Sequence, residues 1–381
     1  MNPETVFCPK LSCAARGKVG AGNIHVHSEP EGRYRCDVCH ETFTTSYGTI
    51  FYRLRTAPDL VMIVLVLLAN GCPIPAIVAA YGFDERTIKS WWKRGGVHCE
   101  AVHTHVIGQS KLELVQVQAD EIRVKIWGGV VWMALAIMVP TRVWVGGVIS
   151  PRRDKALIQH LADQIRACAL CRPLLLAVDG LASYPAAFKR AFRAALPRRR
   201  GRPGRPTLVE WPDIVIVQVV KHRTRHTFDL CRRIVQGTQP LVDRLLRTSQ
   251  GGGVINTAFI ERLNATFRHR LAWLTRRSRG LAHQPELLHA SMFMVGTLYN
   301  FCDFHHALRL PLWLTETKVH WVQRTPAMAA GLTDHPWSFT ELFGFRVPPP
   351  PWTPPKRRGR PSPQTLELTH LTQRGERVAV G

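Results

Sequence analysis

The sequence predicts a mixed α/β domain, a mixed sheet flanked by helices, with two small modules in front of it. Three observations carry this expectation. From about residue 112 to 220, runs rich in β-branched and aromatic residues alternate with amphipathic helical stretches. Residues 59 to 94 read as three helical segments. Ahead of them, four cysteines fall in two short turns. With 381 residues, 45% of them hydrophobic, the chain has enough apolar material for two or three domains.

Charge narrows the partner. A formal net charge of +24 points to a polyanion, nucleic acid before an anionic membrane. The longest apolar runs, Leu60 to Ala69 and Gly128 to Val139, are too short to span a bilayer, so no membrane partner is expected. Residues 1 to 15 hold no apolar leader. Ten cysteines in such a chain therefore suggest reduced thiols in the cytoplasm and one metal site rather than disulfides.

Cys8, Cys13, Cys36 and Cys39 form C-x4-C, a loop of 22 residues, then C-x2-C. Two cysteine turns at this separation can bring four thiolates to one tetrahedral zinc, as in a zinc ribbon. The segment has little apolar material of its own, so the metal would supply its stability. Cys168 and Cys171 form a lone C-x-x-C and are read as buried or incidental.

In the three helical segments, Asn70-Gly71 closes the first, Gly82 closes the short second, and Asp84 caps DERTIKSWWKRGG. This is the order of a helix-turn-helix, whose last helix enters the major groove. Thr87, Lys89, Ser90, Lys93 and Arg94 are its candidate DNA-binding residues.

Three strands are expected in LELVQVQADEIRVKIW, GGVVWMALAIMV and RVWVGGVI. A helix follows from Asp154 to about Cys168. PLLLAVDG reads as a strand buried on both faces, ending at Asp179-Gly180. Residues 183 to 195 are expected to be helical, and IVIVQVV (214 to 220) to be another strand. Between 197 and 212 runs a basic Pro/Gly/Arg loop.

NTAFIERLNATFRHRLAWLTRRSRG, residues 256 to 280, predicts a helix capped by Asn256 or Thr257. Glu261, Asn264 and Arg268 share one flank of its apolar stripe, and Arg276 and Arg277 follow as candidate contacts to a polyanion. Asp120 on the first strand, Asp179 at the end of the fourth and Glu261 on this helix could converge on magnesium, or manganese, as two ions. Such a pair of divalent ions serves phosphoryl transfer on DNA with little covalent help from protein.

These residues sit in motifs that resemble the DDE transposases of bacterial insertion sequences. The likeness runs from about residue 7 to 345. It is carried by the four cysteines with RYRCDVCHETF and GTIFYRLR, then QADEIRVK, VDGLASY, FIERLNATFRHRLAWLTRR, LYNF and RTPAMAAGLTDHPWSFTELF. The resemblance implies a ribonuclease H-like catalytic domain in which Asp120, Asp179 and Glu261 hold the metal, and Arg268 contacts DNA near the cut. It further implies cleavage at element ends, transfer of a 3′-hydroxyl into target DNA, and a homodimer or larger assembly on the terminal inverted repeats, in the bacterial cytoplasm with the nucleoid. Two alternatives share the sequence features: a DNA-binding regulator that lost the chemistry, and a structure-selective nuclease.

The expected division is a zinc ribbon (1–55), a helix-turn-helix (56–110), the catalytic domain (111–310) with its basic loop (197–212), an extension (311–347) and a Pro-rich basic tail (348–381) expected to lack structure. Gly-Arg-Pro segments around Arg202, Arg205, Arg358 and Arg360 resemble the AT-hook and are candidate minor-groove grips.

Overall fold

A computed structural model describes residues 1–196, 205–223, 228–274, 284–313, 315 and 318–350. The described chain divides into two compact units, Met1–Thr45 with residues 348–350, and Ser46–Val347.

The first unit is a small antiparallel sheet of β1 (Ile24–Ser28), β2 (Arg33–Cys36) and β3 (Thr42–Thr44) in that order. Its buried apolar residues besides the cysteines are Val6, Phe7, Ala15, Ile24, Tyr34 and Phe43. So small a core rarely holds a fold without a staple.

The second unit opens with α1 (Pro58–Ala69), α2 (Ile74–Tyr81) and α3 (Glu85–His103). Gly82 ends α2 at φ +70°, a left-handed position that costs glycine nothing. Asp84 caps α3 by accepting from the N–H groups of Arg86 and Thr87. The sequence stops this helix near residue 94, yet it continues through Gly95 and Gly96 to His103. The glycines are there for contact. A Cβ on Gly96 would lie 2.3 Å from the Cβ of Ala290, on helix α8 (Pro285–Phe301), so only a bare backbone lets the two helices approach.

The large sheet is built from β4 (Gln116–Ile126), β5 (Gly129–Met138), β6 (Trp144–Ser150), β7 (Leu174–Asp179), β10 (Ile214–Arg223) and β11 (Phe228–Gln236). Between β7 and β10 a minor pair intervenes, β8 (Arg193–Ala195) and β9 (Leu208–Glu210). The sheet order is β11-β10-β7-β4-β5-β6. β4, β5 and β6 form an antiparallel meander, while β7 and β10 are parallel to β4 on its other side. The parallel crossovers run through α4 (Lys155–Cys168) and α5 (Ser183–Ala191), as parallel connections require. The helix expected through residue 195 ends early. Phe192 leaves helical geometry, buries its ring against Trp211, and the next three residues pair with β9.

α6 (Gln239–Thr248) and α7 (Ala258–Arg270) follow, then α8, which is buried along nearly its whole length. Asn300 of α8 accepts from the Trp144 N–H and donates to the Trp144 carbonyl, supplying the partner that edge strand β6 would otherwise lack. The chain ends this unit with a hairpin, β12 (Leu310–Trp313) and β13 (Val319–Val322), and two short helices, α9 (Pro326–Ala329) and α10 (Phe339–Gly344). The RTPAMAAGL segment is structural here. Thr325 caps α9, and Trp337 stacks between Phe301 and Phe345. No helix of the described residues is long and apolar enough to cross a membrane.

Candidate metal centres

In the first unit the sulfurs of Cys8, Cys13, Cys36 and Cys39 all lie within 4.8 Å of one another. Cys8 and Cys39 are 3.6 Å apart, and Cys13 and Cys36 3.9 Å. Disulfides would need separations near 2 Å. A tetrahedron with metal–sulfur bonds of about 2.3 Å has edges of about 3.8 Å, so the four thiols stand at the spacing a zinc ion requires. Burial pushes the Cys36 thiol up, but backbone N–H groups of Cys39 and Val38 and the Asn23 amide outweigh it and hold the thiol at about 7. Burial pushes the Cys8 and Cys13 thiols up, so of these three Cys36 gives up its proton most readily.

The second centre forms where β4 and β7 run side by side. Their register ends with Ala119 opposite Val178, so the next step brings Asp120 beside Asp179. β7 is apolar throughout and buried until Asp179, which emerges at its carboxyl end, where open α/β sheets bind their ligands. Asp120, Asp179 and Glu261 line one cleft of about 490 Å³ together with Arg153, Lys221 and Thr257. The three carboxylates expected from the sequence thus meet at one place.

Two buried glutamines that the sequence reading passed over hold this arrangement. Gln118, two residues before Asp120 and on the same face of β4, accepts from the N–H groups of Phe259 and Ile260 and donates to the Asn256 carbonyl. It satisfies the first turn of α7, so the helix carrying Glu261 is pinned to the strand carrying Asp120. Asn256 contributes the expected capping bond, accepting from Ala258 N–H, whereas Thr257 makes none and donates instead to Glu261. On the other side, Gln218 of β10 donates to the carbonyls of Asp179 and Leu181, fixing the turn after β7.

Asp120 accepts from the buried Asn264 amide at 2.8 Å. Burial, with the charges of Glu121, Asp179 and Glu261 adding to it, raises the Asp120 carboxyl to about 6. Raised by burial and by its acidic neighbours, Asp120 is a group whose charged form a divalent cation would favour. Glu261 behaves differently. Burial pushes it up, but the Lys221 ammonium and the Thr257 hydroxyl outweigh burial and hold it below the usual carboxylate range.

The oxygens lying within 4.8 Å of one another belong to Asp120, Glu121 and Asp179, and Glu261 stands outside that group, bonded to Lys221. Glu121 is the carboxylate that sequence reasoning missed. It follows Asp120 on the strand, so its side chain points to the opposite face, where Tyr184 of α5 and Arg153 meet it. Its side chain is 0% exposed.

The expected DNA-binding residues divide. Thr87, Lys89, Ser90 and Lys93 are exposed on α3, with Lys89 paired to Glu85 at 2.6 Å. Arg94 does not join them: it is half-buried, and its guanidinium donates to the Tyr52 carbonyl, because α3 turns that side toward the packed residues 50 to 54. Arg268 is half-buried on α7, and Arg205 is exposed. Arg202, Arg276, Arg277, Arg358 and Arg360 lie outside the described residues. Of the other C-x-x-C pair, Cys168 is buried and Cys171 exposed. No family model matches the chain, and no curated protein matches it either.

Proposed function

We propose that this chain is a DNA transposase of the DDE type, cutting DNA at the ends of a mobile element and joining the freed 3′-hydroxyl to target DNA. The observation that carries this is the shared cleft: Asp120 and Asp179 on neighbouring parallel strands and Glu261 on the helix pinned above them. Strand order supports a ribonuclease H-like domain, since an antiparallel meander followed by two parallel strands beside its first member is the order expected of that fold. The donor set fits magnesium or manganese, because every candidate ligand is a carboxylate oxygen. Bound as a pair, such ions would activate a water or a 3′-hydroxyl and stabilise the leaving oxygen.

The chain's own residues position the rest. Asn264 orients Asp120, Gln218 fixes the Asp179 turn, and Lys221 neutralises Glu261 at the cleft wall. Four thiols at tetrahedral spacing would hold one structural zinc. α1 to α3 would serve as the helix-turn-helix, with the exposed Thr87, Lys89, Ser90 and Lys93 facing DNA. A net charge of +24 suits long contact with duplex DNA, both inverted repeats and target, by a dimer or larger assembly on the nucleoid.

The test uses a plasmid carrying the DNA that flanks this gene. Full-length protein with magnesium should introduce breaks that primer extension maps to the outer ends of an imperfect inverted repeat. Breaks scattered without regard to the repeat would fit a nuclease instead, and binding without breaks a regulator.

A further inference from the structure

We infer that Arg153 is a phosphodiester clamp of the cleft, and that Glu121 is its buried anchor and no metal ligand. This rests on the strand-cleavage function proposed above and assigns the substrate contact of that same site.

Both oxygens of Glu121 are already engaged. One accepts from Arg153, through Nε and Nη2, and the other accepts from the Tyr184 hydroxyl at 2.8 Å. Tyr184 is fully buried, and burial followed by the Glu121 charge holds its hydroxyl protonated, so it remains a donor. Glu121 does not line the cleft that Asp120, Asp179, Glu261 and Arg153 line; it lies behind Arg153. Asp120 and Glu121 are consecutive on β4 and leave the sheet on opposite faces, one toward α7 and the other toward α5. A metal reached by all three carboxylates of the compact group would have to take Glu121 away from a buried hydroxyl and a guanidinium together.

Arg153 is held on two sides. Glu121 takes one edge, and the guanidinium carbon sits 4.9 Å from the centre of the Trp132 ring. Its third contact, to Asp179 at 3.4 Å, is long and half-exposed, so Asp179 can exchange it for an ion. Nη1 has no partner among the described residues, and the side chain is 37% exposed to the cleft. A planar guanidinium fixed at one edge and open at the other suits the non-bridging oxygens of a phosphodiester. Lysine could keep the charge but not the fork.

The experiment uses full-length, zinc-loaded protein and two readouts. Manganese titrated by calorimetry should bind far more weakly to Glu261→Gln than to wild type, because a carboxylate ligand is lost, whereas Glu121→Gln should bind it better than Glu261→Gln does. A short labelled duplex of arbitrary sequence, with calcium in place of magnesium, should bind about tenfold more weakly to Arg153→Gln and to Arg153→Lys, the value of a lost charge-assisted hydrogen bond. Both Arg153 variants should keep the wild-type far-UV circular dichroism spectrum, so that a loss of duplex affinity is not a loss of fold. If Glu121→Gln loses manganese and Glu261→Gln keeps it, Glu121 is the ligand and the assignment is overturned. Wild-type duplex affinity in both Arg153 variants would overturn the clamp. Failure of the wild type to cut DNA would instead remove the transposase function while these two binding orders stood or fell on their own.

Discussion

His103 shows how a single buried group sets a property of the whole second unit. Its Nε2 bonds to the Val145 carbonyl at 3.0 Å, its Nδ1 is buried without a partner, and its ring packs against Trp144 and Phe293. Burial lowers it to about 4 from 6.5, so it is neutral when folded and gains a proton when unfolded at mildly acid pH. Between those two values the unfolded chain binds more protons, so this stability is present above pH 6.5 and is lost as pH falls toward 4. Urea unfolding at pH 7 and pH 5 should cost wild type about 2 kcal/mol more than His103→Gln over that interval; equal losses would contradict the assignment. At this scale the cleft carboxylates Asp120, Asp179 and Glu261 were legible because each sits at a patterned place, a strand or a helix flank. Gln118, Gln218, Glu121 and Arg153 were not, since their partners lie far along the chain and only the folded sheet brings them together.

Elements were legible where one local rule decides them. Asp84 and Asp154 cap their helices as expected, and the cysteine turns close at tetrahedral spacing. The errors came where tertiary contact overrode local pattern: α3 runs on through two glycines that serve the α8 crossing, and the end of the expected helix at 183 to 195 is a strand because Trp211 receives Phe192. β11 escaped notice because it is an edge strand whose apolar residues are broken up by Asp229, Arg232 and Arg233. Elemental analysis of the full-length chain should find one zinc, absent from Cys36→Ser. Chelation should speed amide exchange in residues 1 to 45 by orders of magnitude while the core strands β4, β5 and β7 stay protected. Protected amides in residues 1 to 45 of metal-free protein would show that Val6, Ile24, Tyr34 and Phe43 hold the unit without metal.

At the scale of the molecule, a chain carrying +24 gathers Asp120, Asp179 and Glu261 in one cleft. Mixed α/β architecture was legible from strand and helix order, whereas the sheet order came only from the pairing. On the proposed function, Asp120, Asp179 and Glu261 act as one metal-dependent unit on DNA bound by the rest of the chain. The most direct test of this claim measures cleavage and binding side by side, on DNA carrying the gene's flanking repeats, for wild type and for Asp120→Ala, Asp179→Ala and Glu261→Ala. Each variant should bind that DNA within a few-fold of wild type and lose cleavage by at least about 10³-fold, because groups that act jointly fail together. Wild-type cleavage by Glu261→Ala, or cleavage by wild type that persists without divalent ions, would contradict the claim.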